Sequence, residues 1–288
     1  MTDIEKPSGT PARAGGATAP GRLETHLRAL RAEGRKLLVP YITAGYPSDS
    51  WHLLVEGLTT AGADAIEIGV PFSDPVMDGP TIQESSTAAL KAGITPEGAF
   101  SRLGETNPQI PLAVMTYYNL CYRMGHRRFA AELNKAGICA AILPDLPLEE
   151  VGPWARAADD AGIETVLLAA PTAPDSRLPA IVERSRGFVY GVGLVGITGE
   201  REELASSAAD IARRLKEITD KPVLIGVGVS TPEQAAEVAE VADGVVVGSA
   251  LIRKIIDSGS IEPAVDFVAE LRAGLDSVAS GPAGQGRG

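Results

Sequence analysis

The chain has 288 residues with 26 basic and 37 acidic side chains, a formal charge of −11, so the broad basic face of a nucleic-acid binder is not expected. Hydrophobic residues make up 44%, enough for a full core and against wholesale disorder. Two cysteines, Cys121 and Cys139, are too few for a disulfide scaffold and fit reduced, part-buried thiols in the cytoplasm. No apolar run approaches the length of a membrane span, and no apolar signal-peptide core stands at the N-terminus.

Residues 1–21 are rich in Pro, Gly, Ala and Thr and hold one large aliphatic, Ile4. They bury too little surface to offset the entropy of ordering and read as a tail. Residues 278–288 read the same way. Between them, 22–277 show no composition shift that marks a linker and form one domain, opening with a helix. Strands are then expected at 37–42, 65–68, 112–116, 140–143, 165–168, 188–190, 223–225 and 244–247, as short runs of β-branched and aliphatic residues. Between them lie segments with apolar residues at three- and four-residue steps, at 48–61, 128–136, 149–161, 202–218 and 232–241. Near-continuously apolar strands fit parallel strands buried on both faces and joined by right-handed crossovers. Eight such repeats fit a single α/β domain of the (β/α)8 TIM-barrel class. The competing doubly wound sheet calls for a dinucleotide fingerprint after the first strand, and Thr43-Ala44-Gly45-Tyr46-Pro47 is not one.

In a barrel of this kind the chemistry sits on the loops at the C-terminal ends of the strands. Alternation along the second strand puts Glu67 on the face of Ala65, while Ile66 and Ile68 turn to the helical shell. Glu67 is thereby directed into the barrel mouth. A charge there costs several kcal/mol unless it is paired or protonated. Glu67 is therefore either an internal ion-pair partner or a carboxyl of raised pKa, suited to proton exchange near neutrality. The loop that follows, 70–83, carries two Asp, three Pro and one Gly; its prolines with Phe72, Val76 and Met77 favour a shaped, ordered loop. Asp78-Gly79-Pro80 closes it beside the next helix. Asp78 reads as that helix's N-cap or as a second carboxylate at the mouth, and Asp74 as a loop brace. Two carboxyls in different environments can divide acid and base duties.

Three glycine turns follow the last three strands: Gly196-Ile197-Thr198-Gly199, Gly226-Val227-Gly228-Val229-Ser230 and Val247-Gly248-Ser249-Ala250. Each offers small residues and backbone N–H groups where a strand turns into a helix. The last opens a helix whose N-terminus favours an anion. Each turn alone could be no more than a tight turn; together they read as a phosphate cup that needs no Lys or Arg. His26, His52 and His126 are scattered and read as helix or surface residues, with no metal-ligand spacing.

The segment from Glu67 through PFSDP to Asp78-Gly79-Pro80-Thr81-Ile82-Gln83 resembles the tryptophan synthase alpha subunit family. The similarity runs through Pro40-Tyr41-Ile42-Thr43-Ala44-Gly45, Pro144-Asp145-Leu146-Pro147 and Gly196-Ile197-Thr198-Gly199 to Val247-Gly248-Ser249-Ala250, over about residues 25–270. It implies a carbon–carbon lyase that cleaves indole-3-glycerol phosphate into indole and glyceraldehyde 3-phosphate by a retro-aldol step. Indole C3 must gain a proton, and the side-chain hydroxyl must lose one. The resemblance gives that shuttle to Glu67, and to Asp78 the indole N–H and the positive charge on the ring. It gives the phosphate to Gly199, Gly228, Gly248 and Ser249. It places Tyr41, Ile82, Tyr117, Tyr190 and Val227 around the indole, Thr198 on a loop that closes against Asp78, and Asp145 at a partner interface. It implies no metal and no cofactor in this chain. The partner it implies is a beta subunit that carries pyridoxal phosphate and consumes the indole, in an alpha2beta2 heterotetramer.

The chain departs from the family pattern at Gly193-Leu194, where Ser-Arg is frequent, at Val227 for a frequent Phe, at Tyr46 for a frequent Asp, and at Met77 for a small residue. These bear on loop closure and communication with a partner rather than on reaction type. Three alternatives stand beside the alpha-subunit reading: a free-standing indole-releasing lyase, a different phosphate-sugar barrel isomerase, and an inactive barrel kept to bind a partner.

Overall fold

The computed structural model describes residues 19–106, 108–193, 201–226 and 228–279, with 201–206 described by backbone alone. Most of both expected tails lies outside these residues. In chain order the elements are α1 (Arg22–Ala32), β1 (Leu37–Thr43), α2 (Leu53–Thr60), β2 (Ile66–Gly69), α3 (Pro80–Lys91), α4 (Pro96–Gly104), β3 (Leu112–Met115), α5 (Tyr118–Met124) and α6 (His126–Lys135). Then come β4 (Ala140–Ile142), α7 (Gly152–Asp160), β5 (Glu164–Ala169), α8 (Leu178–Arg184), β6 (Val189–Val192) and α9 (Arg201–Ile218). The last are β7 (Val223–Gly226), α10 (Pro232–Val241), β8 (Gly244–Val247), α11 (Ser249–Ser258) and α12 (Glu262–Ala279).

The eight strands close into a barrel in sequence order, every pair parallel, with β8 returning to β1 through Leu37↔Gly244 and its successors. This is the expected (β/α)8 architecture. Alternation divides each strand between two cores. Ala65, Ala113, Ala140, Ile142, Val166, Leu224 and Val246 pack inside the barrel, whereas Ile66, Ile68, Val114, Ala141 and Val245 pack against the helical shell. Helix α1 closes the N-terminal end of the barrel with Leu23 and Leu27. It is latched by Glu164 at the start of β5, whose carboxylate accepts from the first amides of the helix, Leu23 N at 2.6 Å and Glu24 N at 3.0 Å.

Two expected helices begin later than the periodicity predicts. The helix expected at 48–61 starts at Leu53, because Pro47 opens a turn whose carbonyl takes the amides of Ser50 and Trp51. The one expected at 149–161 starts at Gly152, with Pro153 in its first turn, where a missing N–H leaves no bond unmade. Helices α4 and α10 are capped by Thr95 on the Gly98 amide at 3.0 Å and by Thr231 on that of Gln234 at 3.3 Å. Among the described residues no helix is long and apolar enough to cross a membrane.

Candidate active site

Glu67 lies in register between Tyr41 on β1 and Ala113 on β3. It is on the inward parity of β2 and only 1% exposed. Other buried carboxylates, at the opposite end of the barrel, are fully engaged. Asp64 takes Arg35, Arg272 and the Leu38 amide. Asp243 takes Arg31, Lys216 and the Val223 amide. Glu67 differs: its Oε2 is buried without a hydrogen-bond partner, and no ion pair to it is formed among the described residues. The ion-pair alternative thus has nothing to rest on. Burial, and secondarily the negative charge of Asp78, push its pKa up to about 8. An unsatisfied buried carboxyl is costly, and such groups gather at functional sites.

Asp78 reaches the same cavity from the loop after β2. The loop is braced: the Asp78 amide donates to Pro75 O at 3.1 Å, and the Gln83 side chain donates to Asp78 O at 2.7 Å. The Ser73 hydroxyl donates to its exposed neighbour Asp74 at 2.6 Å. Asp78 is not the cap of α3. Gly79 holds that position, extended and without a side-chain bond, which leaves the Asp78 carboxylate for the cavity. Its pKa is pushed up to about 6 by burial, against a hydrogen bond from Tyr117 that pulls it down.

Glu67, Asp78, Tyr41, Ile82 and Tyr190 line one cavity of about 240 Å³ at the C-terminal end of the barrel, with Gly228, Gly248 and Ser249 on its rim. Two glycines give the tyrosines room. A Cβ on Gly69 would run into the Tyr41 hydroxyl, and one on Gly226 into the Tyr190 ring. Burial holds both phenols well above their usual pKa, so they stay neutral. At the rim, Gly248 is the N-cap residue of α11 and Gly228 adopts a φ of +34°. The free first-turn amides of α11 make this end a seat for an anion. Among the described residues no Lys or Arg lines the cavity, and no group of His, Cys, Asp or Glu is arranged to hold a metal. A larger space of about 480 Å³, between α2 and Glu105, Thr106, Pro108 and Gln109, lies in the outer shell and has no part in this constellation.

Other expected residues fall elsewhere. Tyr117 does not line the cavity; its ring lies against Phe72, centroids 5.2 Å apart, and its hydroxyl accepts from the Met77 amide at 2.8 Å. Asp145 is exposed on the β4–α7 loop and accepts from the Tyr118 amide at 2.7 Å, so it caps a neighbouring helix rather than its own. Thr198, Gly199, Val227 and Leu194 lie outside the described residues. Met77 and Met115 line the cavity although the sequence reading did not place them there. Met115 follows the inward parity of β3, a signal that strand alternation carried; Met77 is placed by the loop's shape, which has no such period.

A protonated carboxyl and an ionised one across a slot, facing an anion seat, can donate a proton to a bound phosphate ester, hold a cation or N–H opposite, and take a proton back. A family model for the tryptophan synthase alpha chain matches residues 27–276. The tryptophan synthase alpha chain of Streptomyces coelicolor is 41% identical over 256 residues, 88% of this chain and 94% of that one. That of Thermobifida fusca is 40% identical over 266 residues, 89% and 98% of the two chains. Among solved structures, tryptophan synthase of Mycobacterium tuberculosis in space group F222 is similar with a TM-score of 0.83 and 36% identity, covering 89% of this chain and 99% of that one.

Proposed function

Because this chain belongs to the tryptophan synthase alpha chain family, we propose that it is a lyase of tryptophan biosynthesis that cleaves indole-3-glycerol phosphate to indole and glyceraldehyde 3-phosphate, with Glu67 and Asp78 as its working pair. Family membership leaves no ground for the phosphate-sugar isomerase. What carries the residue assignment is the buried carboxyl of Glu67, its Oε2 without a hydrogen-bond partner, in one cavity with Asp78.

Near pH 7, between the two pKa values of about 8 and about 6, Glu67 is protonated and Asp78 ionised. Glu67 delivers its proton to indole C3. Asp78 accepts the ring N–H and stabilises the positive charge that develops there, in a site where burial strengthens the interaction. The Glu67 carboxylate then takes the proton of the side-chain hydroxyl as the C–C bond breaks and its electrons return to the ring. Indole and the aldehyde leave, and Glu67 is protonated again. The amides near Gly228 and Gly248 with the Ser249 hydroxyl hold the phosphate, with Gly199 as the fourth member. Tyr41, Ile82 and Tyr190 confine the indole ring; the family resemblance adds Val227 to them and gives Thr198 the closure against Asp78.

The partner is a beta subunit in an alpha2beta2 assembly in the cytoplasm, and pyridoxal phosphate belongs to that subunit. Asp145, exposed on the β4–α7 loop, is the residue placed at its interface. Indole release is measured with and without added beta subunit: stimulation supports the assembly, and full activity alone supports a free-standing lyase. In either assay, wild-type turnover by Glu67→Gln would end the acid–base assignment.

A further inference from the structure

We propose that Tyr117 is a positioning residue for Asp78, gripping the end of the β2–α3 loop through its hydroxyl and itself held by Asp145. The proposal rests on the reading of Asp78 as the group that accepts the indole N–H.

Tyr117 stands between β3 and α5, and its position is set from two sides. Its ring lies on Phe72 at the start of the loop, 5.2 Å between centroids with an interplanar angle of 30°. The next amide, that of Tyr118, donates to the Asp145 carboxylate at 2.7 Å, which pins the backbone turn that aims the phenol. The hydroxyl accepts from the Met77 amide at 2.8 Å, gripping the loop one residue before Asp78, and its own hydrogen is the group that lowers the Asp78 pKa against burial. A phenol that accepts from one residue of a loop and donates to the next fixes both the backbone and the carboxylate. The ring is buried, at 6% exposure, yet does not line the cavity, so its contact with the substrate is indirect.

The same hydrogen bond favours the ionised form of Asp78. Glu67 from β2 and Tyr41 from β1 share the cavity with Asp78, and neither carries a positive charge. Among the described residues no cation lines the cavity. Asp145 adds a negative charge near Tyr117. Holding Asp78 ionised under burial therefore depends on the donated phenol hydrogen.

The test is the pH dependence of kcat/KM for indole release by Tyr117→Phe, Asp145→Ala and Asp78→Asn, measured on the full chain. Tyr117→Phe keeps the ring on Phe72 and removes the hydroxyl. Its acidic limb is expected to move upward by about one pH unit, so that the loss is roughly tenfold at pH 5 and small at pH 7.5. Asp145→Ala should move the same limb the same way by less; an unmoved limb there removes Asp145 from the scheme. If Asp78→Asn leaves the kinetics unaltered, the role of Asp78 itself is wrong. If Asp78→Asn abolishes cleavage while Tyr117→Phe lowers the rate by one constant factor at every pH, the positioning role alone is overturned.

Discussion

Replacing Glu67 with Gln should trade activity for stability, and the exchange should depend on pH. The side chain is 1% exposed, and its pKa moves from an ordinary 4.5 to about 8 on folding. A carboxyl whose pKa is raised in the folded state contributes its full stability below the unfolded value and loses it as the pH climbs toward the folded one. At 1.36 kcal/mol per unit, the loss from pH 4.5 to pH 7 is on the order of 3 kcal/mol, and it levels off above about pH 8. Gln is neutral throughout and escapes it. Its own unpartnered amide adds a fixed offset, so the diagnostic is the slope and not the absolute difference. Thermal melting of both proteins at pH 4.5, 6, 7 and 8.5, together with indole release, provides the assay. The advantage of Glu67→Gln should grow by roughly 3 kcal/mol from pH 4.5 to pH 7 while cleavage falls below detection. A difference that stays constant across this range would refute the idea that burial holds Glu67 protonated.

Wild-type kcat/KM should follow a bell with limbs near pH 6 and pH 8, from Asp78 and Glu67; in any Asp78→Asn protein with residual activity the upper limb should shift down, since the Asp78 charge helps raise Glu67, and an unmoved limb would uncouple the pair. Gly69→Ala should cost about 1–3 kcal/mol of stability and lower kcat/KM at least tenfold, because its Cβ collides with the Tyr41 hydroxyl; a variant with wild-type melting and kinetics would show that the ring has room to move. Ser249→Asp places a carboxylate in the first turn of α11, at the rim. KM should rise more than tenfold with kcat less affected, as expected for repulsion of the phosphate, and an unchanged KM would move the anion seat elsewhere.

Periodicity by itself determined the barrel: apolar runs alternating with amphipathic segments admit few other arrangements, since parallel strands must be covered on both faces and joined by crossovers. The period of two also sent Glu67 inward, because a side chain on a strand has only two directions to take. The helix starts at Leu53 and Gly152 escaped the pattern, since local turn bonds and Pro153 act at single residues and carry no period. Whether Glu67 was paired, whether Asp78 capped α3 and where Tyr117 stood were tertiary matters. Each depends on what other chain segments bring across the barrel mouth: Asp78 from a loop, Tyr117 from the end of the next strand, Asp145 from the one after. Gly69 and Gly226 make the point from the other side: the sequence marks one as a strand end and the other as part of a glycine turn, and only the ring folded over each shows why a side chain there has no place.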